Sequence, residues 1–429
     1  MTRSVCFALA CALFVLASAA AASAQPQKKV LMIGIDGAGG QYVEAANTPS
    51  LDALASAGTV RYDAYNEGGL TPNAPSGYGA SGVNWSTFVT GASAANHNVV
   101  DNSFGGSDFE NNPHFFQFVK QADSTLSTIS LANWTPINTF ITPDEFADVE
   151  IGYDVGSASF QDNLLTNDAV SFLTTGRRSG DFVSTPIDPD VMFLHFDQVD
   201  SAGHAFSWGS PQHTAAIELV DSHVGSIMGA LSTRPGVVSG DEDWLVLVSG
   251  DHGATPGSFS HFASQGPDNW EMPFIVSGPS VATGAAMQRP TLRDLAPTAL
   301  WHLGIDPFLA GMDGTVRGLT VTPPTGVVGD FNNDGAFAGN GAGPAATDDV
   351  TTFLANWLKT GDGGVLDRYA RGDINLDGVT NLSDWALIND LNPAMGAAIG
   401  RALAGVPEPA CLGLVALAAL TVRLPRQTR

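Results

Sequence analysis

The sequence predicts an α/β fold, with a mainly parallel central sheet flanked by helices, followed by a small α-helical module built on acidic loops. Three observations predict it. Residues 30–35, 191–196 and 244–248 are short apolar runs, as expected of strands buried on both faces of a parallel sheet. Each leads into a segment that carries an acidic residue: Asp36, Asp200 and Asp251. Helical patterns lie between them, such as residues 213–231. Another is the start Asn47-Thr48-Pro49-Ser50, with Leu51, Leu54 and Ala55 at helical spacing. Strands alternating with helices build parallel sheets, whose ligand sites lie at the carboxyl ends of the strands. The acidic residues just named would converge there. Residues 103–190 give no such regular pattern and are expected to be irregular, carrying substrate contacts.

The chain begins with Arg3, an apolar run over residues 5–16 and the small-residue triplet Ala22-Ser23-Ala24. That order is expected of an export leader over residues 1–24, placing the mature chain in the periplasm, at the cell surface or outside a Gram-negative-type bacterium. Cys6, Cys11 and Cys411 are the three cysteines, and the folded region between them has none. Disulfides, cysteine ligands and a thiol nucleophile are therefore excluded there. With 18 Lys and Arg against 43 Asp and Glu, the formal charge of −25 opposes nucleic-acid scaffold binding. An anionic substrate would need local positive charge, and bound metal ions are a source of it.

The strand ends offer ligands for such ions. Asp36 follows the first strand. Asp200-Ser201-Ala202-Gly203-His204 sets an Asp and a His one helical turn apart. Ser249-Gly250-Asp251-His252-Gly253 follows the third strand, and His261 comes soon after. Asp and His from separate strand ends suit zinc-like ions, and manganese or iron could substitute. A lone Asp at a strand end is more often a turn or cap residue, and a lone His more often structural. Their joint occurrence in one domain is what points to metal.

Further segments surround these: Ile33-Gly34-Ile35-Asp36-Gly37, Thr48-Pro49-Ser50-Leu51-Asp52-Ala53-Leu54-Ala55, Thr87-Phe88-Val89-Thr90-Gly91, His97-Asn98-Val99-Val100-Asp101-Asn102 and Met272-Pro273-Phe274-Ile275. The ordered set, over residues 30–310, resembles the alkaline phosphatase superfamily, nearest its type I phosphodiesterase/nucleotide pyrophosphatase branch. The resemblance implies a metal-dependent hydrolase of small phosphate esters that works through a covalent phosphoserine. The family's nucleophile lies ten residues before the glycine of its Thr-Gly pair, which is Ser81 here, and a phosphate-holding Asn twenty-one residues later falls on Asn102. By the same resemblance, Asp36, Asp251 and His252 would bind one divalent ion with Ser81. Asp200, His204 and His261 would bind a second. The backbone N–H near Ser81 would help to hold the phosphate oxygens. The hydroxyls of Ser76 and Ser86 compete with Ser81 but miss the family spacing.

Departures from the family bear on the substrate. Ser81 stands where the branch commonly has Thr, and Val83 where it commonly has Pro. Val83 and Trp85 also occupy places where sulfatases carry Pro and Arg. Phe262 follows His261 where the family often has Gly. No Lys-x-Arg pair of the kind that grips a terminal phosphate follows Asn102, which favours diesters. Phosphomonoester, sulfate-ester and phosphonate hydrolysis are the alternative activities. An inactive scaffold that binds a surface is the alternative outside enzymes.

The catalytic domain is expected over residues 28–322, then a Pro- and Thr-rich linker. Residues 327–393 are rich in Asp, Asn and Gly. Within them, residues 373–384 have the spacing of a twelve-residue calcium loop. Asp373, Asn375, Asp377 and Asn381 supply side-chain oxygens, Val379 its carbonyl, and Asp384 closes the loop. An earlier copy starts at Asp330, Asn332 and Asp334, and Asp349 could complete it after a glycine-rich insertion. The pair resembles a dockerin module, implying bound Ca²⁺ and a cohesin-like or surface partner. Residues 404–429 contain Pro407-Glu408-Pro409, an apolar run and a basic end, similar to a PEP-CTERM sorting signal. That implies a transient membrane association during export.

Overall fold

The computed structural model describes residues 25–404, apart from 72–75, 143–145, 263–265, 282, 285–286, 288, 308–309, 320–324, 361–364 and 377. The expected leader, most of the linker, the loop residue Asp377 and the tail beyond Ala404 therefore lie outside the described residues.

Seven strands form one sheet: β1 (Gln27–Ile35), β2 (Thr59–Tyr65), β3 (Thr128–Ala132), β4 (Val149–Gly152), β5 (Val191–Phe196), β6 (Glu242–Gly250) and β7 (Glu271–Ser277). Their order is β2-β7-β6-β1-β5-β3-β4. The pairs β6–β1, β1–β5, β5–β3 and β3–β4 are parallel, while β7 runs antiparallel to both β6 and β2. The sheet is thus mixed but mostly parallel.

The central strand shows why the chain folds this way. β1 has no polar face: Val30 and Met32 join one core, with Trp85 and Phe88, and Leu31, Ile33 and Ile35 join the other. The first core is covered by the helices Ser81–Thr90 and Leu295–His302. The second is covered by Pro49–Ala57, Ala158–Thr175 and Pro211–Ser232. Burying each large side chain contributes roughly 1.5–3 kcal/mol, which favours a strand apolar on both faces over an alternating one.

Residues 103–190 differ from the sequence expectation. They supply β3, β4 and the eighteen-residue helix Ala158–Thr175. β4 alternates half-buried and exposed residues at the sheet edge, so it lacks the apolar run of a central strand. The helix is marked by Ser157, whose side chain accepts the Phe160 N–H, and is closed by Gly176 in the left-handed region.

The C-terminal module packs the helices Asp349–Asn356, Leu382–Leu391 and Pro393–Leu403 around Phe331, Phe353, Ile374, Ile388 and Ile399. Its two loops are equivalent in their backbone bonding. Asp349 Oδ1 accepts the N–H groups of Phe331 (2.9 Å) and Asn332 (3.2 Å). Asp384 Oδ1 accepts those of Ile374 (2.9 Å) and Asn375 (3.2 Å). Asp330 and Asp373 each accept the N–H of the glycine five residues on, Gly335 at 2.8 Å and Gly378 at 2.9 Å. The glycine-rich insertion closes on Asp348, which takes N–H bonds from Asn340, Gly341, Gly343 and Thr351. Asp349 can thus occupy the position in the first loop that Asp384 holds in the second.

Candidate active site

Three strand ends deliver the site. Asp36 leaves β1, Asp251 and His252 leave β6, and the helix Gln198–Phe206 after β5 carries Asp200. In-register pairing of Ile35 with both Phe196 and Gly250 puts these ends side by side. Two glycines permit the approach. A Cβ on Gly34 would lie 2.5 Å from the Trp85 ring, and one on Gly37, at φ +73°, would lie 2.7 Å from the Asp200 backbone.

Ser81 is the first residue of its helix, buried at 6% exposure, and its Oγ lies 3.2 Å from His252 Nε2. The same nitrogen lies 3.4 Å from Asp36 Oδ1, 3.5 Å from Asp251 Oδ2 and 3.7 Å from Asp200 Oδ1. Those three carboxylate oxygens are buried without a hydrogen-bond partner. Asp36, Asp251 and His252 form one ligand cluster, and Asp200, His252 and His261 a second that overlaps it. The His252 and His261 rings stack at 3.6 Å, and His261 Nδ1 is held by the Gly79 carbonyl at 2.9 Å.

The electrostatics describe an unmet demand for positive charge. Burial and the Asp36 charge push the Asp251 carboxyl well above the usual carboxylate range, and Asp200 likewise. Burial works the same way on Asp36, but hydrogen bonds from His195 and His252 hold it far below that range. Burial opposes the His252 imidazolium, but its bond to Asp36 wins and raises it. Burial and the His252 charge push His261 down to about 2, leaving a neutral imidazole suited to ligation. Orphaned carboxylate oxygens clustered with His252 and the neutral imidazole of His261 are the donor set a divalent cation takes, so these residues fit metal.

Of the expected residues, His204 lies outside both clusters and is half-exposed. Its Nδ1 bonds the Phe259 carbonyl at 2.9 Å, while its Nε2 stands 3.5 Å from Asp200 Oδ2. Asn102 is exposed beside the nucleophile, and its Oδ1 accepts the Gly82 N–H at 2.7 Å. That bears on one expectation: the Gly82 N–H, next to the nucleophile, is engaged by the Asn102 side chain. Ser86 is not a competitor, because its hydroxyl donates to the Gly82 carbonyl at 2.6 Å within the helix.

Sequence reasoning missed the residues behind the ligands. Trp85 Nε1 donates to Asp36 Oδ2 at 3.0 Å, and His195 Nε2 lies 3.2 Å from the same oxygen. Asn66 Nδ2 donates to the Asp251 and Asn269 carbonyls, both at 3.1 Å, and Asn269 Nδ2 donates to the His261 carbonyl at 3.2 Å. His195 had a signal, as the lone polar residue of an otherwise apolar strand. Asn66 and Asn269 had none, since each looks like a turn residue.

Residues 30–271 match the model of the type I phosphodiesterase / nucleotide pyrophosphatase family. Phosphopentomutase of Pectobacterium atrosepticum is 29% identical over 122 residues, which are 28% of this chain and 26% of the relative. The chain therefore spans about a quarter of the length of that curated relative. In fold, a Bacteroides thetaiotaomicron protein assigned as a sulfatase aligns with a TM-score of 0.50 at 15% identity, covering 68% of this chain and 78% of that one. Murine ectonucleotide pyrophosphatase/phosphodiesterase 5, solved with AMP, aligns at 0.46 and 15% identity over 65% of this chain and 95% of its own. With the matched segment running through Asp36, Ser81, Asp200, Asp251, His252 and His261, the chain belongs to the type I phosphodiesterase / nucleotide pyrophosphatase family, hydrolases of the alkaline phosphatase superfamily.

Proposed function

We propose that this chain hydrolyses phosphodiesters with Ser81 as nucleophile and two divalent metal ions, zinc by ligand type. The observation that carries the reading is the Ser81 hydroxyl at a helix N-terminus, 3.2 Å from His252 among three orphaned carboxylate oxygens. Asp36, Asp251 and His252 would hold one ion beside Ser81, and Asp200 and His261 the other, with His204 turning in from the rim. Bound there, the ions lower the pKa of the hydroxyl and stabilise charge on the leaving oxygen.

Ser81 Oγ attacks phosphorus in line, the bond to the leaving alcohol breaks, and the alcohol departs carrying one proton. Water then cleaves the phosphoserine, returning the hydroxyl to Ser81 and releasing the phosphomonoester. The helix Ser81–Thr90 points its positive end at the reacting phosphate, and Asn102 Nδ2 donates to a non-bridging oxygen. Trp85 and His195 hold Asp36 from behind, and Asn66 and Asn269 hold the Asp251–His261 loop. Trp85 lies buried against Asp36 at a place where a sulfatase would present an Arg, which supports phosphate over sulfate esters.

The same reading includes calcium in the two equivalent loops, a cohesin-like or surface partner for that module, export through the leader and a transient membrane anchor in the tail. The test uses zinc-loaded protein with bis(p-nitrophenyl) phosphate, p-nitrophenyl phosphate and p-nitrophenyl sulfate. Fastest turnover of the diester, abolished by Ser81→Ala and by chelation, is the expected result. Fastest turnover of the monoester would keep the mechanism and overturn the substrate class. Metal binding with no turnover would favour the surface-binding scaffold.

A further inference from the structure

Three histidines at the site share one aromatic neighbour. Trp208 is buried at 1% exposure, and its ring meets His204 edge-on at 5.1 Å and His261 edge-on at 5.9 Å, with His252 at 6.3 Å. His204 and His261 also meet each other edge-on, at 5.3 Å. His204 comes from the helix after β5, while His252 and His261 follow β6, so one side chain joins the two segments.

The chain is bent to put Trp208 there. Ser207 ends the helix Gln198–Phe206 at φ +75° and ψ 148°, a conformation that a residue with a Cβ rarely adopts. The Trp208 N–H then donates to the Ser258 carbonyl at 2.9 Å, and the Trp208 carbonyl accepts the Gly257 N–H at 2.8 Å. Those two bonds tie the turn to the segment that leads to His261. The indole Nε1 donates to the carbonyl of Gly37, next to Asp36, at 3.1 Å. A Cβ on Gly203 would lie 2.6 Å from the indole, so the glycine between Asp200 and His204 is what admits the ring.

The histidines need such a support. His204 Nδ1 bonds the Phe259 carbonyl and His261 Nδ1 the Gly79 carbonyl, each at 2.9 Å. A carbonyl only accepts, so Nδ1 carries the proton in each ring and Nε2 is left to bind an ion. One hydrogen bond fixes a nitrogen but lets the ring tilt about it, whereas an edge-to-face contact also fixes the plane. We infer that Trp208 is the positioning residue of the second metal site, holding the planes of the His204 and His261 rings beside Asp200. The inference rests on the two-ion reading above and adds a residue that touches neither substrate nor ion.

The experiment is calorimetric zinc titration of the full metal-free chain, in excess calcium to keep zinc off the acidic loops. His261→Ala identifies the binding step that belongs to the second ion. Trp208→Leu is expected to weaken that step by about tenfold or more, the usual loss when the support behind a ligand is removed, while the other step stays within about threefold. Trp208→Phe keeps a ring against both histidines and should recover most of the loss. A thermal melt verifies folding, and if Trp208→Leu does not fold, Trp208→Phe decides through a loss confined to the second step. Equal weakening of both steps would make Trp208 a core residue only and overturn the inference, as would two unchanged steps. A wild type that binds fewer than two ions at the site would overturn the two-ion reading as well.

Discussion

The two ends of the central strands handle buried charge in opposite ways. At the amino end, Lys29 is fully buried, and its ammonium meets Asp190 at 2.8 Å, Asp188 at 3.0 Å and the Pro189 carbonyl at 3.0 Å. Arg234 joins the same network through Glu242 at 2.8 Å and the Leu173 carbonyl at 2.8 Å. At the carboxyl end, seven residues along the same strand, Asp36, Asp200 and Asp251 each keep a buried oxygen with no partner. A fold can carry charges of the first kind for stability. The second kind is costly, since unpaired buried charge is unfavourable, and on the function proposed above a bound ion would complete the set.

The largest effect should come from removing the nucleophile. Ser81→Ala is expected to lower diester turnover by about a thousandfold or more while leaving the thermal melt within a degree or two. Cutting the compensated end should do the reverse. Lys29→Met leaves Asp190 buried beside an apolar side chain and should cost about 3–5 kcal/mol in urea unfolding, with kcat unchanged in the fraction that stays folded.

Asp162 sharpens the contrast, because it is a buried carboxyl near the site that backbone N–H groups do satisfy. It accepts those of Asp197 at 3.1 Å and Gln198 at 3.2 Å, at the start of the helix that carries Asp200, and also bonds Asn133. Burial nonetheless pushes it up to about 7. A carboxyl raised above its unfolded value of 3.8 contributes most below about pH 4 and loses that contribution as the pH rises to about 7. Asp162→Asn should therefore flatten the fall in stability between pH 4 and 7, an effect of up to about 4 kcal/mol. Urea midpoints at pH 5 and 8 for both proteins would show it; parallel profiles would assign the pH dependence elsewhere.

Filling the uncompensated end should stabilise the chain. Zinc at a hundredfold excess over its Kd is expected to add about 2.7 kcal/mol, read as a rise in Tm that Ser81→Ala retains. Asp251→Asn removes one of the repelling carboxylates. It should raise the stability of metal-free protein by about 1 kcal/mol while abolishing most of the zinc-induced gain. A zinc response that survives this substitution would show that Asp251 is not a ligand.

The strands β1, β5 and β6 were legible because each carries a largely apolar run that leads into a polar turn. So were Asp36, Asp200, Asp251 and His252, because ligand-type residues sit where those runs end. The strands β3 and β4 were not legible: β3 is five residues long, and β4 at the sheet edge alternates weakly. Local periodicity is too short a signal there, and position in the sheet decides the matter. In the module, the loop spacing reached from Asp373 to Asp384 directly. Asp349 could only be offered as the end of the broken copy until the Phe331 and Asn332 N–H groups were seen to meet it.

By itself, then, the amino-acid order determined a mainly parallel α/β sheet, the residue types at its strand ends and a second acidic module. It could do so because periodicity and turn chemistry act over a few neighbouring residues. Only the tertiary structure decided that His195 and Trp85 share Asp36, that Asn102 engages Gly82, and that His204 stands at the rim while His252 sits among three carboxylates. Apart from the adjacent Asp251 and His252, those side-chain pairs lie between 20 and 216 positions apart, and distances of that kind are set by how layers pack, which no local pattern encodes.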